Sequence, residues 1–152
     1  MERTAITVYT DGSCLGNTQN SPGGWAAIIV HPKKELVLRG FCTATTNNRM
    51  ELTAVIEAIK ALTKPCSITI VTDSTYVIMD NSRMAKWLNK SDKYKNMDLW
   101  QELVRVAKAG HHKIAYQHVY GHTGQVYNER CDRIAKEQAL KARKEKSDGI
   151  LP

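Results

Sequence analysis

The sequence predicts an α/β protein: a five-stranded mixed sheet, part antiparallel meander and part parallel strands, flanked by helices. Three observations predict it. Three strand-like runs come first, over Thr4–Thr10, Trp25–His31 and Leu36–Thr45, with only short connections of chain between them. The apolar period then switches from two to 3.6 at Asn48. Two further strand-like runs, Ser67–Thr72 and Ile114–Tyr120, are separated by helical pattern.

The elements follow in order. Thr4–Thr10 alternates, with Ile6 and Val8 on one face and Ala5, Thr7 and Tyr9 on the other. Asp11-Gly12 is expected to end that strand, and Ser13–Gly24, rich in Gly, Asn, Ser and Pro, reads as a loop. Trp25–His31 is a near-continuous apolar run, and Leu36–Thr45 completes an antiparallel meander. Asn48–Leu62 places Leu52, Val55, Ile56, Ile59 and Leu62 at helical spacing, and Pro65 stops it. Ser67–Thr72 is strongly β-branched. Ser74–Met79 begins a second helix, weakened after Asn81 and Ser82. Lys86–Lys95 is polar and basic around Trp87. Leu99–Ala109 is a third helix ended by Gly110, and Asn128–Lys144 is the last, with Cys131, Ile134, Ala135 and Ala139 facing inward. The tail after about residue 146 is expected to fray.

The helix after the third strand makes a crossover, so the fourth strand should lie parallel to the first and beside it. Ligand sites in such sheets lie beyond the carboxyl ends of the parallel strands. Asp11 and Asp73 stand at two of those ends.

The chain has 152 residues, 42% hydrophobic and 24% charged, which predicts a single domain over residues 1–152 with a real core. No apolar run approaches membrane-spanning length, and the start, Met-Glu-Arg-Thr, has no apolar signal core. Cys14, Cys42, Cys66 and Cys131 are scattered, which reads as reduced thiols in a cytoplasmic protein rather than a zinc site or disulfide framework. A net charge of +7 favours a polyanionic partner, nucleic acid first, although simple solubility is the plainer explanation.

Against that basic background, four acids occupy recognisable settings: Asp11, Glu51, Asp73 and Asp132. Each has a plain structural explanation. Asp11-Gly12 makes a turn, Asp73-Ser74 caps a helix, Glu51 completes a capping box with Asn48, and Asp132 pairs with Lys136 one turn on. Taken together they would have to reach one sheet edge by accident. Two carboxylates ~5 Å apart at an effective dielectric of ~20 repel by about 3 kcal/mol, so convergence calls for a cation, usually a divalent metal pair.

Five segments carry a resemblance: Tyr-Thr-Asp-Gly-Ser-Cys-Leu-Gly-Asn from Tyr9, Thr-Thr-Asn-Asn-Arg-Met-Glu-Leu from Thr45, Thr-Asp-Ser-x-Tyr-Val from Thr72, Val-Tyr-Gly-His-Thr-Gly from Val119, and Asn-Glu-Arg-Cys-Asp from Asn128. In this order and over nearly the whole chain, they resemble the motifs of the type 1 ribonucleases H. The resemblance implies a ribonuclease H-like fold and an endonuclease that hydrolyses the RNA strand of an RNA–DNA hybrid, leaving 3′-hydroxyl and 5′-phosphate ends. It implies two magnesium ions, with manganese able to substitute. Asp11 would bridge them, Glu51 and Asp73 would complete one site, and Asp132 would hold the other. It gives His122 an accessory part in proton transfer or product release. Groove contacts fall to Gly12, Ser13, Cys14, Asn17, Asn47, Asn48 and Ser74, with Thr46 and Arg49 anchoring phosphate, although Arg49 at a helix start otherwise reads as solvated charge, and with Trp87 either stacking on a sugar or sitting in the core amid Lys86, Lys90, Lys93 and Lys95. Glu129 carries weaker warrant, and His31, His111, His112 and His118 read as structural.

A cytoplasmic monomer, away from membranes, is the expected form. Alternatives are an isolated ribonuclease H module of a reverse transcriptase, which the initiating methionine and lack of a linker argue against, and an inactive hybrid-binding module, which the intact carboxylates argue against. The actin-like ATPase architecture also places Asp-Gly after its first strand, but it needs two such domains.

Overall fold

The computed structural model describes residues 2–81, 95–120 and 125–150. Among these the order is β1 (Thr4–Cys14), β2 (Ser21–His31), β3 (Lys34–Thr45), α1 (Asn47–Ala61), β4 (Cys66–Thr72), α2 (Thr75–Asn81), α3 (Met97–Ala109), β5 (Lys113–His118) and α4 (Val126–Ile150). The five strands form one sheet in the order β3-β2-β1-β4-β5. β1, β2 and β3 pair antiparallel; β1 with β4, and β4 with β5, pair parallel. The meander, and the fourth strand parallel to the first and beside it, are as the sequence predicts.

Alternation along the strands builds two cores. Ile6, Val8, Ala27 and Ile29 face α1 and α3, where Leu52, Val55, Ile56, Ile59, Trp100 and Leu103 are buried with them. Ala26 and Ile28 point to the opposite face, where α4 presents Cys131, Ile134 and Ala135. A strand buried on both faces needs no alternation of polarity, which is why β2 is almost continuously apolar. No helix among the described residues is long and apolar enough to cross a membrane.

Several boundaries differ from the sequence expectation, for physical reasons. β1 does not end at Asp11-Gly12. It runs on to Cys14, with Asp11 paired to Ala26, Gly12 to Trp25 and Cys14 to Gly23. The Ser-Pro-Gly-Gly stretch expected as loop is the start of β2, and the register with β3 shifts between Ser21 and Gly23. The glycines serve packing: a Cβ on Gly24 would collide with the Ala135 carbonyl oxygen and would meet the Ala139 nitrogen at 2.5 Å. Small residues there let α4 lie directly on the strand. α4 itself continues to Ile150, past the point where fraying was expected. Ala142 is fully buried, and Lys146 Nζ donates to the Asn20 carbonyl.

The capping box expected between Asn48 and Glu51 does not form. Thr46 caps α1, its Oγ1 accepting from Arg49 N at 3.2 Å, so the Glu51 carboxylate is left for other work. Asp73 likewise is not a cap: Ser74 Oγ accepts from Val77 N at 3.2 Å at the start of α2.

Candidate active site

Each of the four acids is held by an unusually constrained neighbour. The parallel pairing of β1 and β4 ends at Tyr9 with Val71, so Asp11 and Asp73 both stand two residues beyond it. Glu51 comes from α1, which touches β1 at Gly12. A Cβ on Gly12 would sit 2.5 Å from Glu51 N and 2.7 Å from the Met50 carbonyl carbon. Only glycine allows the helix backbone that close. Asp132 follows Cys131, which is fully buried and donates its Sγ to the Tyr9 carbonyl at 3.4 Å. Tyr127, one turn earlier, stacks on Tyr9 with ring centroids 4.6 Å apart. Burial pushes the Cys131 thiol up to about 12, so it stays a neutral anchor.

Carboxylate oxygens of Asp11, Glu51 and Asp73 lie within 4.8 Å of one another. With Asp132, Gly12, Asn47, Asn48 and Ser74 they line a cleft of about 330 Å³. Asp132 borders this cleft without joining the tight cluster. Its Oδ2 takes a 3.1 Å ion pair from Lys136, the plain helical pairing that its spacing predicts.

The electrostatics are those of buried like charges brought together. Burial first, then the charges of Asp73 and Asp132, push the Asp11 carboxyl up to about 7. Burial, then the charges of Asp11 and Asp73, push Glu51 well above the ordinary carboxylate range. The Oε2 atom of Glu51 is buried and has no hydrogen-bond partner. A buried acceptor left without a donor is costly, and hard oxygen donors converging in this way suit a divalent ion such as magnesium. The donor set therefore fits a divalent cation held by Asp11, Glu51 and Asp73.

The expected groove residues divide. Asn17, Thr46, Asn47, Asn48 and Arg49 line a second cleft of about 680 Å³, together with Gly16, Thr18, Gln19, Lys95 and Asn96. It adjoins the acidic cleft through Asn47 and Asn48. Gly12 and Ser74 belong to the acidic cleft itself. Ser13 pairs with Gly24 in the sheet. Cys14 turns its thiol to the carbonyls of Ser21 and Thr45, at 3.7 and 3.6 Å. Arg49 is not the solvated charge that its place at a helix start suggests. Its guanidinium forks onto Asp98 at 3.0 and 2.7 Å and reaches Asn96 Oδ1 at 3.3 Å. Glu129 is exposed and is not among the residues lining either cleft. His122, Trp87, Lys86, Lys90 and Lys93 lie outside the described residues.

Sequence reading passed over the support for this second cleft. Asn96 sits at φ 63°, a left-handed conformation that asparagine tolerates, and donates from Nδ2 to the Tyr76 hydroxyl at 3.0 Å. Trp100 Nε1 donates to the same oxygen at 3.1 Å. Tyr76 thus ties α2, just after Asp73, to the start of α3. The signal was available: an asparagine before Met97-Asp98-Leu99 is a helix-start pattern.

The class that this fold and these clefts define is an α/β protein with an acidic site able to hold a divalent cation at the end of its parallel strands. The chain belongs to the ribonuclease H family, which it matches over residues 3–140, and carries the type 1 domain. The ribonuclease H of Campylobacter jejuni is 46% identical over 147 residues, spanning 94% of this chain and 97% of that protein. The ribonuclease H of Caldicellulosiruptor saccharolyticus is 41% identical over 139 residues, spanning 86% and 93%. Among solved structures, LC9-RNase H1, a type 1 RNase H with the type 2 active-site motif, superposes with a TM-score of 0.81 at 30% identity. That match covers 93% of this chain and 75% of that one.

Proposed function

We propose that the protein is an endonuclease that hydrolyses the RNA strand of RNA–DNA hybrids with two divalent ions, leaving 3′-hydroxyl and 5′-phosphate ends. The observation that carries this reading is the cluster of Asp73 with the buried Asp11 and Glu51, with an unpartnered Glu51 oxygen, opening beside an amide-rich cleft. Family membership supports the reaction, and the acidic cluster supports this location for it.

Asp11, Glu51 and Asp73 would hold one ion, with Asp11 and Asp132 holding the second. The looser position of Asp132 supports that division. Bound there, magnesium or manganese supplies Lewis acidity toward the phosphate and lowers the pKa of water. The chain's own part is positioning. β1 and β4 hold two carboxylates level, α1 brings a third against Gly12, and α4 presents the fourth from the opposite face. The amides of Asn17, Asn47 and Asn48 line the neighbouring cleft, where a 2′-hydroxyl, the group that distinguishes RNA from DNA, can be read from a wide minor groove. Arg49 and Thr46 lie at its wall for phosphate, Arg49 already oriented by Asp98. His122 is proposed as the accessory proton carrier, and Trp87 as a sugar contact.

One sheet covered on both faces supports a monomer acting as a single domain. The test is cleavage, with magnesium, of end-labelled single-stranded RNA, RNA duplex, DNA duplex and hybrid. Cutting confined to the RNA of the hybrid is expected. Equal cutting of RNA duplex and hybrid would overturn the reading.

A further inference from the structure

Asp11 and Asp132 come from different elements, and one ring contact sets them level. α4 runs in the direction of β1: Tyr127 stacks on Tyr9, and further on Ala135 and Ala139 meet Gly24, the partner of Ser13. Asp11 lies two strand residues past Tyr9, a rise of about 7 Å. Asp132 lies five helical residues past Tyr127, a rise of about 7.5 Å. The stack therefore brings Asp132 to the height of Asp11 along the strand. Any slide of α4 along its axis would carry Asp132 away from that height.

The buried face of α4 does little to prevent a slide. Apart from Ile134 it consists of Cys131, Ala135, Ala139 and Ala142. Small side chains raise shallow ridges, which let a helix lie close and resist sliding only weakly. Lys136, the ion-pair partner of Asp132, belongs to the same helix and moves with it. The resistance comes from Arg130, two residues before Asp132. Its guanidinium forks onto Glu35 of β3, Nη1 to Oε1 at 3.1 Å and Nη2 to Oε2 at 2.8 Å. Its Cζ lies 5.6 Å from the centroid of the Tyr127 ring. The fork joins residues 95 positions apart, whereas the pairs Arg105–Glu102 and Lys136–Asp132 each lie within one helix. A planar two-bond fork fixes direction as well as distance.

We propose that Arg130 and Glu35 are positioning residues for Asp132. Through the fork and the Tyr127–Tyr9 stack they fix α4 along its axis, and so fix the fourth carboxylate against Asp11. The proposal rests on Asp132 being a cation ligand, as in the reading above. It adds two residues that do not line the acidic cleft.

The test is manganese binding to the substrate-free full chain, measured by calorimetry. Field and position predict opposite signs. If the pair acted only through its charges, Glu35→Gln would weaken manganese binding and Arg130→Gln would strengthen it. As positioning residues, both are expected to weaken it by about 3- to 10-fold, less than the roughly 10- to 100-fold of a group bonded directly to a metal ligand. In an Asp132→Asn background, itself weaker than wild type, neither substitution weakens binding further. Glu35→Arg/Arg130→Glu rebuilds the pair in reverse and is expected to recover most of the affinity. Glu102→Gln breaks the fork of Arg105 within α3 and removes the same charge as Glu35→Gln. It is expected to keep wild-type affinity. Tighter or unchanged binding in Arg130→Gln, further losses in the Asp132→Asn background, or an equal loss in Glu102→Gln would overturn the assignment. Hybrid cleavage by the wild type is assayed separately. The expected manganese results without cleavage remove the hydrolase reading and keep the positioning, whereas cleavage with unweakened binding in Glu35→Gln removes the positioning alone.

Discussion

Asp11 and Asp73 stand level across two parallel strands, each two residues past the last backbone pair, Tyr9 with Val71. Neither turns away into a loop of its own, because β1 continues along β2 and Asp73 is followed at once by the cap of α2. Their carboxylates consequently face one another and Glu51 within 4.8 Å. At that spacing, like charges repel by roughly 3 kcal/mol per pair at an effective dielectric of ~20. The site therefore carries a built-in instability that a cation relieves, and that instability is open to measurement.

Neutralising one acid should separate catalysis from stability. Asp11→Asn, Glu51→Gln and Asp73→Asn are each expected to abolish hybrid cleavage while raising the melting temperature of the metal-free protein. Relief of ~1–3 kcal/mol of repulsion corresponds to a rise of about 3–10 °C for a chain of this size. Asp132→Asn, outside the tight cluster, should raise the melting temperature least and keep some activity, since an amide oxygen can still serve a cation. Thermal melts with chelator and single-turnover cleavage check both halves. A variant with near wild-type turnover removes that residue from the site.

The pH dependence takes its sign from the raised carboxyls. Unfolded, Asp11 ionises near its ordinary value of 3.8; folded, it keeps its proton until about 7. Glu51 shifts in the same direction. Between those limits the folded state binds more protons than the unfolded state, so stability falls as pH rises. The contribution is full below about pH 4 and is lost as pH passes 7. In chelator, urea unfolding of the wild type should show less stability at pH 8 than at pH 5, relative to Asp11→Asn measured in parallel. Millimolar magnesium should abolish that difference by stabilising the ionised cluster. A wild type whose pH profile parallels that of Asp11→Asn would mean that the cluster is not strained by its own charge.

Gly12 sets the distance between β1 and α1. Alanine there would place its Cβ 2.5 Å from the Glu51 nitrogen and 2.7 Å from the Met50 carbonyl carbon, both backbone. The helix must move, at a cost of about 1–3 kcal/mol, and Glu51 moves with it. A shift of ~1 Å at a reacting centre can lower a rate ~10²-fold. Gly40→Ala is the control, because its Cβ meets the Trp25 indole, the nearest atom at 2.5 Å, away from the carboxylates. Urea titration should show both variants destabilised, and single-turnover cleavage should show only Gly12→Ala slowed. Comparable slowing in both would make the rate loss a general effect of softened packing.

Calcium should bind and not support cleavage. Magnesium demands near-octahedral geometry at about 2.0–2.1 Å, whereas calcium takes 6–8 ligands at about 2.3–2.6 Å. The donors that Asp11, Glu51 and Asp73 supply accept either ion, so both should raise the melting temperature. Cleavage needs the tighter geometry, and calcium should compete with magnesium as an inhibitor. Melts and cleavage assays run with each ion decide the matter. Efficient cleavage in calcium alone, or no stabilisation by any divalent ion, would rule out the tight site.

Arg49 offers a cleaner separation of binding from chemistry. Its pair with Asp98 is largely open to solvent, so Asp98→Ala should lower stability by less than about 1 kcal/mol. Arg49→Ala should weaken hybrid affinity roughly 5- to 30-fold, the effect of one charge-assisted hydrogen bond at ~1–2 kcal/mol. The single-turnover rate at saturating hybrid should hardly change. Fluorescence titration and rapid-quench cleavage measure the two. A rate loss without an affinity loss would place Arg49 in the chemistry and not at a phosphate.

The sequence by itself determined the order of elements, the meander, the parallel place of the fourth strand beside the first, and the two acids at their ends. Those features are local periodicity and the handedness of a crossover, which short windows of residues encode. It also determined which side chains form the inner stripes of α1 and α4, for the same reason. Only the tertiary structure decided that Asp11-Gly12 and Ser21–Gly24 are strand and not turn. Their local chemistry favours turns, and it is overridden by the β1–β2 ladder and by helices lying directly on glycines from distant parts of the chain. Tertiary contact alone also bound Arg49 to Asp98 across 49 residues of sequence and left one Glu51 oxygen buried without a partner. Each of these depends on groups far apart in sequence being brought within a few ångströms, which no local pattern records.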